Sequence, residues 1–478
     1  MPQAASKLET PSPPDPAAAN RRNSLRDNGF MMAPVYGSDV STTIIRFYHI
    51  DFLKKEGIVN FVSPLDLQSI TSDDLPSPKQ MKKATQEQTK EHNRNLVLKI
   101  LLEHDSISRA EIARITRLTR TTVSDIVADL MVEGLVEEVG LGSSLGGKSP
   151  ILLSVIEDSR CLIGLDLAHN QFRGAVVNLR GEIRELINLP VNNRGGQEAL
   201  DLVTEILDRL VKIACQPVVG IGVGTPGLVN TSAGIVINAV NLDWKNLPLA
   251  QLLEERYQVP VCVLNDSQAA AMGEYTFGKN HKDQENLIVI NARHGIGAGV
   301  VINGRLFHGD GGGAGEIGHV VVVPQGGLLC RCGNHGCLET IASAQAIVKR
   351  AQHLASQSRD ERWSMRAGEI TFEEVEQLFA AGDPLVCEIV LEAGRYMGLA
   401  MSGLVGMLNI HKIVLIGDMT RFGEAWLAAI QETMAQTSLY GLAQETQVEI
   451  GELGGNAILL GASALLSSDY SLLFNLKS

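Results

Sequence analysis

Aromatic residues are scarce in this chain of 478 residues, where Phe, Trp and Tyr together make up 4%. A protein that binds single-stranded nucleic acid by stacking bases on aromatic rings is therefore disfavoured. Positive charge is also in short supply, because 41 Lys and Arg are outnumbered by 54 Asp and Glu and the formal net charge is −13. This charge excludes a general binder of polyanions, so any contact with nucleic acid has to come from a local basic face.

Long apolar runs are missing too, since no stretch of 18 consecutive apolar residues occurs, and no membrane-spanning helix is predicted. The first 20 residues, MPQAASKLETPSPPDPAAAN, have no apolar core and do not resemble a secretory signal. The seven cysteines are an odd number, and three of them lie between residues 330 and 337. A cytoplasmic protein with a metal site explains this distribution better than a framework of disulfides does.

Three parts of the chain differ in composition. Residues 1–85 begin with a stretch rich in Ala, Pro and Ser and are expected to form a partly disordered N-terminal extension. Residues 86–158 have the pattern of a winged helix-turn-helix domain. Residues 159–478 alternate strands and helices, and the strand–turn–strand pattern of CLIGLDL and FRGAVVNL recurs in LIVINA and GAGVVING. This internal repeat predicts an α/β domain of two similar lobes with a cleft between them.

The winged helix-turn-helix prediction depends on helix caps and apolar spacing. Ser108 followed by Glu111 has the spacing of a capping box, which predicts a short helix with a buried face at Ile112 and Ile115. Thr119 is predicted to cap the next helix. The apolar residues of that helix recur at intervals of three, four and seven and are Val123, Ile126, Val127 and Leu130. Two strands around a glycine-rich loop, between residues 135 and 155, complete the unit.

The third helix is predicted to read duplex DNA, because its N-terminal end carries short polar side chains and arginine. Nearby arginines would supply the phosphate contacts. The candidate DNA-binding residues are Arg109, Arg117, Thr119, Arg120, Thr121, Thr122, Ser124 and, at the tip of the wing, Lys148. The alternative is a small helical domain whose arginine face is merely solvated.

Three cysteines and one histidine form a candidate metal site. Cys330, Cys332 and Cys337 lie within eight residues, and His319 precedes them by eleven positions. Three sulfurs and one imidazole match a closed, tetrahedral, structural zinc site. His335 is a rival ligand, and Gly333 and Gly336 allow the chain to turn sharply around the ion. The alternative is three reduced cysteines without a metal.

Several polar residues are candidates for binding a polyol. Asn265 and Asp266 follow the strand PVCVL, and Glu316 and Glu339 flank the proposed metal loop, so that a zinc ion would hold both glutamates at fixed positions. Carboxylates and an amide that converge in a cleft suit the hydroxyls of a sugar. Taken singly, each residue also fits a simpler role, and Asp266 in particular fits a helix cap.

The segments HNRNLVLKILLEHDSISRAEIARITRLTRTTVSDIVADLMVEGLVEE, LNDSQAAAMGEY, GAGEIGH and CRCGNHGCLE together resemble the ROK family of repressors and sugar kinases. The resemblance covers about residues 88–467. It implies an α/β fold, with an N-terminal winged helix-turn-helix followed by a two-lobed, actin-like domain with a zinc loop over residues 319–337. It also implies zinc on His319, Cys330, Cys332 and Cys337. The implied sugar contacts are Asn265, Asp266, Glu316, His319 and Glu339, and Asp266 matches the catalytic base of the kinases.

The chain departs from the kinase pattern at its phosphate loops. Kinases of the family carry Asp-X-Gly-Gly-Thr in the first loop, where this chain has Asp166-Leu-Ala-His169-Asn170. The second loop, Gly-Thr-Gly-X-Gly in the kinases, reads Arg293-His294-Gly-Ile-Gly, and the third keeps only Gly417. Loss of these glycines removes the close backbone approach that phosphates need. The position of the catalytic base, Asp266, is therefore expected to be vestigial.

These patterns predict a regulator of carbohydrate genes, and more specifically a repressor, rather than an enzyme. Its expected partners are double-stranded operator DNA and a sugar or sugar phosphate effector, and we expect a homodimer or homotetramer that binds a palindromic site. One alternative is an active, ATP-dependent sugar kinase. Another is a regulator controlled by a protein partner from a sugar-transport system.

Overall fold

Three antiparallel strands and three helices form the N-terminal part of the computed structural model, which describes residues 85–143, 149–278, 285–357 and 367–468. The N-terminal extension predicted for residues 1–85, except Thr85, and the wing-tip residue Lys148 lie outside the described residues. The elements of this part are α1 (Gln86–Glu103), β1 (Ile107–Ser108), α2 (Arg109–Thr116), α3 (Arg120–Val132), β2 (Val136–Leu141) and β3 (Ile151–Val155). The sheet order β1-β3-β2 is that of a helix-turn-helix with a β-hairpin wing.

The predicted caps form. The Ser108 hydroxyl accepts a hydrogen bond from the Glu111 amide at 3.2 Å, and the Thr119 hydroxyl accepts one from the Thr122 amide at 3.1 Å. All four predicted core residues of α3 are buried. Two details were wrong. The Glu111 carboxylate pairs with Arg114 instead of closing a capping box, and Ile115 is 40% exposed, because the eight-residue α2 buries only its other face.

The first lobe is built on a five-stranded sheet of order β11-β7-β4-β5-β6. Its elements are β4 (Cys161–Leu167), β5 (Gln171–Asn178), β6 (Ile183–Pro190), α4 (Gly196–Ile213), β7 (Val218–Thr225), α5 (Leu249–Tyr257), β11 (Val261–Asn265) and α6 (Asp266–Phe277). A small sheet that the sequence pattern did not reveal adds β8 (Leu228–Asn230), β9 (Ile235–Ala239) and β10 (Trp244–Leu247).

The second lobe has a sheet of order β14-β13-β12-β15-β16. Its elements are β12 (Leu287–Ala292), β13 (Ile296–Ile302), β14 (Arg305–Leu306), α7 (Glu339–Ala342), α8 (Ala344–Ser356), α9 (Phe372–Ala380), α10 (Pro384–Leu408), β15 (Lys412–Ile416), α11 (Gly423–Thr437), α12 (Tyr440–Glu445), β16 (Gln447–Ile450) and α13 (Ala457–Ser468). Helices α6 and α13 pack against each other, and each also packs on a sheet, α13 on the first-lobe strands and α6 on β12 and β13. None of the described helices combines the length and the apolarity that a membrane crossing requires.

The two five-stranded sheets have the same topology. In each sheet, the first strand in chain order pairs antiparallel with the second and parallel with the fourth. The second strand pairs antiparallel with the third, and the fourth pairs parallel with the fifth. This confirms the predicted internal duplication. The parallel strands end towards the same cleft, so the residues at their carboxyl ends are brought together from both lobes. That arrangement positions the candidate site.

Candidate functional site

A cleft of about 1040 Å³ contains all five predicted sugar-binding residues. Its walls come from both lobes and from the loop that carries the cysteines. The predicted contacts that line it are Asn265, Asp266, Glu316, His319 and Glu339. The fold therefore brings together residues that are up to 74 positions apart in the sequence (265 to 339), as the sugar-site interpretation requires.

The side chain of Asn265 forms hydrogen bonds with neighbouring backbone groups. Its amide oxygen accepts hydrogen bonds from the backbone amides of Ser267 at 2.9 Å and Gln268 at 3.4 Å, which caps α6. Its amide nitrogen donates to the carbonyl of Gly227 at 2.9 Å. These bonds fix the start of α6 at the cleft. A direct sugar contact from Asn265 stays a prediction.

Asp266 is the first residue of α6, and one of its carboxylate oxygens also accepts hydrogen bonds from a neighbouring residue. Its Oδ1 accepts from the amide of Ser267 at 2.7 Å and from the Ser267 hydroxyl at 3.2 Å. Among the described residues no donor lies within hydrogen-bond distance of Oδ2. Burial raises the pKa of Asp266 to about 6, although the nearby Arg293 guanidinium opposes the shift. Because Asn265 supplies the cap, Oδ2 of Asp266 is left for a ligand hydroxyl.

The two glutamates are held by different partners. The Glu339 carboxylate accepts the amide of Ile296 at 3.1 Å and the guanidinium of Arg331 at 3.3 Å. A side chain at Gly295 would place its Cβ 2.5 Å from Glu339 Oε2, so glycine is needed there for this close approach. Burial raises the pKa of Glu316 above its ordinary value. The Glu339 carboxylate is therefore held in place by two donors, whereas the Glu316 carboxylate lies in a partly desolvated wall of the cleft without a donor of its own among the described residues other than the nearby His319 ring.

The predicted metal ligands form one cluster whose ligand atoms all lie within 4.8 Å of one another: His319, Cys330, Cys332 and Cys337. The His319 Nδ1–Cys330 Sγ distance is 3.5 Å, and the Cys332 Sγ–Cys337 Sγ distance is 3.6 Å. Tetrahedral zinc with Zn–S bonds of about 2.3 Å and Zn–N bonds of about 2.0 Å requires ligand separations of about 3.5–3.8 Å. The donor set and these separations fit a structural zinc ion.

Glycines shape the loop between the cysteines. Gly333 and Gly336 have φ angles of +96° and +74°, as expected from their role in the turn. A Cβ on Gly336 would lie 1.9 Å from the carbonyl oxygen of Val323, so no other residue fits. His335, the rival ligand, is exposed and does not belong to the cluster.

His319 connects the metal cluster to the sugar residues. Its Nδ1 faces Cys330, and its Nε2 lies 3.7 Å from Glu316 Oε2. A carboxylate beside the second ring nitrogen orients a ligating histidine. Arg331 makes a second connection, because it lies between two of the cysteines and binds both Glu339 and Asn241. The sequence analysis missed Arg331, and its only signal was its position between two predicted ligands.

Charged side chains of the two lobes meet at one part of the cleft wall. Nη1 of Arg293 lies 3.2 Å from Oδ1 and 3.0 Å from Oδ2 of Asp166. Burial disfavours the charge of Arg293, but Asp166, Asp266 and Asp418 raise the pKa of Arg293 above its ordinary value. A guanidinium thus stands beside three carboxyl groups in the wall of the cleft.

Two imidazoles stack beside this ion pair. The ring centroids of His169, from the first loop, and His294, from the second, are 4.3 Å apart at an interplanar angle of 25°. Burial, together with the neighbouring His169, Arg331 and Lys349, lowers the pKa of His294 to about 4. His294 is therefore neutral at physiological pH. The stacked rings bring side chains of both lobes together at the cleft.

The winged helix presents a polar edge. Arg117, Arg120, Thr121 and Ser124 are exposed around the start of α3. The hydroxyls of Thr119 and Thr122 are 2.8 Å apart, so these two residues hold the first turn together. Within the described part of the chain, neither Arg117 nor Arg120 forms an ion pair. Both guanidinium groups are free to meet phosphates, and the DNA contacts themselves stay predictions.

Arg109 has a different environment from the other arginines. Its guanidinium lies 3.0 Å from Glu138 on β2 and 3.6 Å from the sulfur of Met131 on α3. These contacts tie the wing to the recognition helix, so Arg109 supports the DNA-reading surface, and a direct DNA contact from Arg109 stays a prediction. The sequence could not distinguish it from its neighbours because Glu138 is 29 positions away.

Comparison with known families agrees with this architecture. Residues 162–469 match the model of the ROK family, and residues 91–137 match the model of winged helix-turn-helix DNA-binding domains. The chain belongs to the ROK family. The predicted fold class, a winged helix-turn-helix followed by a two-lobed, actin-like domain, is confirmed.

This ROK family member is similar to both repressors and kinases. It is 33% identical over 387 residues to the xylose repressor of Caldicellulosiruptor bescii, which covers 80% of this chain and 96% of that protein. It is 32% identical over 316 residues to a glucokinase of Halalkalibacterium halodurans, and this match covers 64% of this chain and 95% of the glucokinase. A crystal structure of a ROK family transcriptional regulator, a homologue of the Escherichia coli MLC protein, matches 81% of this chain and 98% of its own with 27% identity and a TM-score of 0.71.

Proposed function

We propose that this ROK family member is a DNA-binding transcriptional regulator, a repressor of carbohydrate genes, that responds to a sugar or sugar phosphate in its interlobe cleft. One observation carries the proposal. The chain joins a winged helix with an exposed, arginine-bearing edge to a cleft that is lined by carboxylates and by the charged and imidazole side chains of Arg293, Asp166, His169 and His294.

The side chains at the predicted phosphate loops support binding without phosphoryl transfer. Phosphoryl-transfer enzymes stabilise the phosphates with metal ions and with backbone amides that approach closely. Here the Arg293 guanidinium pairs with the Asp166 carboxylate, and two stacked imidazole rings line the cleft beside it. A buried arginine is a permanent charge, whereas a nucleotide-bound metal ion arrives and leaves. We therefore propose that the chain binds its sugar without phosphorylating it.

Zinc has a structural part in this proposal. His319, Cys330, Cys332 and Cys337 would hold the ion and leave no open coordination position. The ion would supply no chemistry to the sugar. It would fix the loop that carries Arg331 and orient His319 towards Glu316, so that the carboxyl groups of Glu316 and Glu339 are preorganised for sugar hydroxyls.

The DNA head, residues 86–158, and the sugar-binding domain, residues 159–478, are proposed to act as a homodimer or homotetramer. Two-fold symmetric proteins read two-fold symmetric half-sites, so the operator would be a palindrome. A sugar that favours one closure of the lobes would change the spacing of the heads. Such coupling is about 1–3 kcal/mol, which corresponds to a change in operator affinity of about 5- to 150-fold.

The test has two steps. The full-length chain is used to select duplexes from a random-sequence library, and the Kd for the selected duplex is then measured with and without xylose, glucose, N-acetylglucosamine and their phosphates. We expect a palindromic duplex and one sugar that changes its Kd within the range given above. Selection of no duplex, or a Kd that no sugar changes, contradicts the proposal.

A sugar kinase is the second candidate. The similarity to a glucokinase and the presence of Asp266 at the position of the catalytic base favour it. Coupled measurement of ADP release with the same sugars decides between the two functions. Turnover that is abolished by Asp266→Asn would establish the kinase, whereas absence of turnover with a sugar that binds supports the regulator.

A further inference from the structure

One arginine of the first lobe reaches into the winged helix. Arg180 lies in the turn between β5 and β6, and its guanidinium donates to the carbonyl oxygens of Leu102 at 3.3 Å, His104 at 3.1 Å and Asp105 at 3.4 Å. It also donates to the hydroxyl of Ser154 on β3 at 3.2 Å. The last carbonyls of a helix have no partner within it, so Arg180 satisfies the C-terminal end of α1.

A second arginine does the same for the recognition helix. Arg160 immediately precedes β4, and its Nη2 donates to the carbonyl oxygen of Glu133 at 3.0 Å. Glu133 is the residue that ends α3. The two helices of the head that face the lobe are thus each held at their C-terminal end by an arginine of the sugar-binding domain. Neither contact is predictable from local sequence, because the partners are 27 and 75–78 residues apart.

The apolar contacts reinforce this attachment. Leu162 and Leu179 of the first-lobe sheet and Val219 of β7 belong to the same buried cluster as the core of the winged helix, and they are 2%, 7% and 6% exposed. The amide of Leu179 also donates to the carbonyl of Glu157 at 3.1 Å. The head and the first lobe therefore share one core, and the connection between them is not a free linker.

The same two arginines are connected to the cleft by a single hairpin. Strand β4 begins at the residue after Arg160 and reaches the cleft at Asp166. Strand β5 then returns from the cleft, past Arg173, to the turn that carries Arg180. The strands are paired over seven residue positions, from Cys161 opposite Asn178 to Leu167 opposite Phe172. A paired hairpin of this length spans about 20 Å and resists bending. One of its ends lines the cleft and the other end carries both arginines.

We propose that Arg160 and Arg180 are positioning residues that make the recognition helix move with the β4–β5 hairpin, so that closure of the cleft is transmitted to the DNA contacts. This inference rests on the proposed function and adds the route by which the sugar acts. The guanidinium geometry matters as well as the charge, because one planar group has to serve three carbonyls and a hydroxyl at once. Lysine at position 180 cannot do so.

The experiment measures how strongly sugar and DNA are coupled. For the full-length chain, the Kd for the duplex selected by the wild type is measured with and without the sugar that shifts it, and the ratio of the two values is compared between variants. Because the shared apolar core remains, we expect a strongly reduced ratio for Arg160→Gln/Arg180→Gln and a smaller reduction for Arg180→Lys. The sugar Kd itself, measured by calorimetry without DNA, should stay within about twofold of the wild type.

Arg209→Gln is the matched control. Arg209 is an exposed arginine of the same lobe whose ion pair among the described residues is with Glu205 on its own helix. Its substitution removes one positive charge, half the change made by the double variant, and should leave the ratio unchanged. A double variant that keeps the wild-type ratio contradicts the inference while leaving the proposed function intact. A wild type whose ratio is one contradicts both. If hydrogen exchange shows that the double variant has lost its folded head, the ratio of Arg180→Lys decides.

Discussion

Arg293 and Asp166 form an ion pair across the cleft, with 3.0 Å between Nη1 of Arg293 and Oδ2 of Asp166. The Asp166 side chain is 1% exposed and that of Arg293 is 19% exposed. The pair joins the second lobe to the first in the wall of the cleft. The Arg293 guanidinium therefore stabilises the buried Asp166 carboxylate from the other side of the cleft.

Removing one partner of this pair should destabilise the protein. Arg293→Ala removes the guanidinium that Asp166, Asp266 and Asp418 share, and we expect the free energy of unfolding to fall by about 3–5 kcal/mol. Urea denaturation measures the loss. The control is Asp208→Asn, which breaks an exposed pair with Arg256 and should cost less than about 1 kcal/mol. Equal losses in the two variants would contradict a structural role for the buried pair.

The zinc interpretation predicts one ion per chain. Cys332→Ser removes one of four ligands and should abolish the zinc found by elemental analysis of the purified protein, whereas His335→Ala should retain it. Because His319 faces Glu316 as well as the cysteines, loss of the ion should also weaken sugar binding in calorimetry. Retention of zinc in Cys332→Ser would mean that the ligand set is wrong.

Asp266 predicts a pH dependence with a definite sign. Burial raises the pKa of Asp266 from 3.8 to about 6, so between about pH 4 and pH 6 the folded state holds a proton that the unfolded state has released. Its contribution to stability is therefore complete at low pH and is lost as the pH rises through about 6. The difference in Tm between wild type and Asp266→Asn should fall over this range.

The control for this prediction has the opposite slope. The hydrogen bond from Arg256 lowers the pKa of Asp208, so the stabilisation that Asp208 provides is lost as the pH falls. The difference in Tm between wild type and Asp208→Asn should therefore shrink towards acid pH. The Tm of the wild type minus that of Asp266→Asn is the quantity to follow. If this difference is flat or rises with pH, burial does not raise the pKa of Asp266.

Two arginines of the head should respond differently to substitution. Arg120→Ala removes an exposed charge at the start of α3, so it should weaken DNA binding and reduce the slope of log K against log salt by about 1. Arg109→Ala removes a side chain that is paired with Glu138, so it should lower thermal stability and leave the salt slope nearly unchanged. Fluorescence anisotropy at several salt concentrations measures both slopes. If Arg109→Ala reduces the slope of log K against log salt as much as Arg120→Ala does, the supporting role of Arg109 is contradicted.

Local sequence signals predicted the parts of the fold that depend on neighbouring residues. The caps at Ser108 and Thr119 and the spacing of Cys330, Cys332 and Cys337 each involve a few consecutive positions, and the structure places them as predicted. The strands β8–β10 were missed because they are three to five residues long and have no clear alternation.

Contacts between distant residues could not be predicted in the same way. The sequence showed that Arg293 replaces a glycine of the kinase pattern, but the carboxylate that it meets lies 127 positions earlier. Likewise Arg180 has no local feature that distinguishes it, since its partners belong to another domain. Only the packing of the lobes decides which charged groups share a buried site, and a single sequence does not contain that information in any short window.

The shared core of the head and the first lobe has a consequence for engineering. Leu162, Leu179 and Val219 cover the inner face of the winged helix, so a cut at the boundary near residue 158 exposes apolar surface on both fragments. A chimera that grafts this head onto another sensor must carry those three side chains, or equivalents of the same shape, across the junction. Head swaps joined only by sequence alignment should aggregate, whereas swaps that transplant the whole interface should fold.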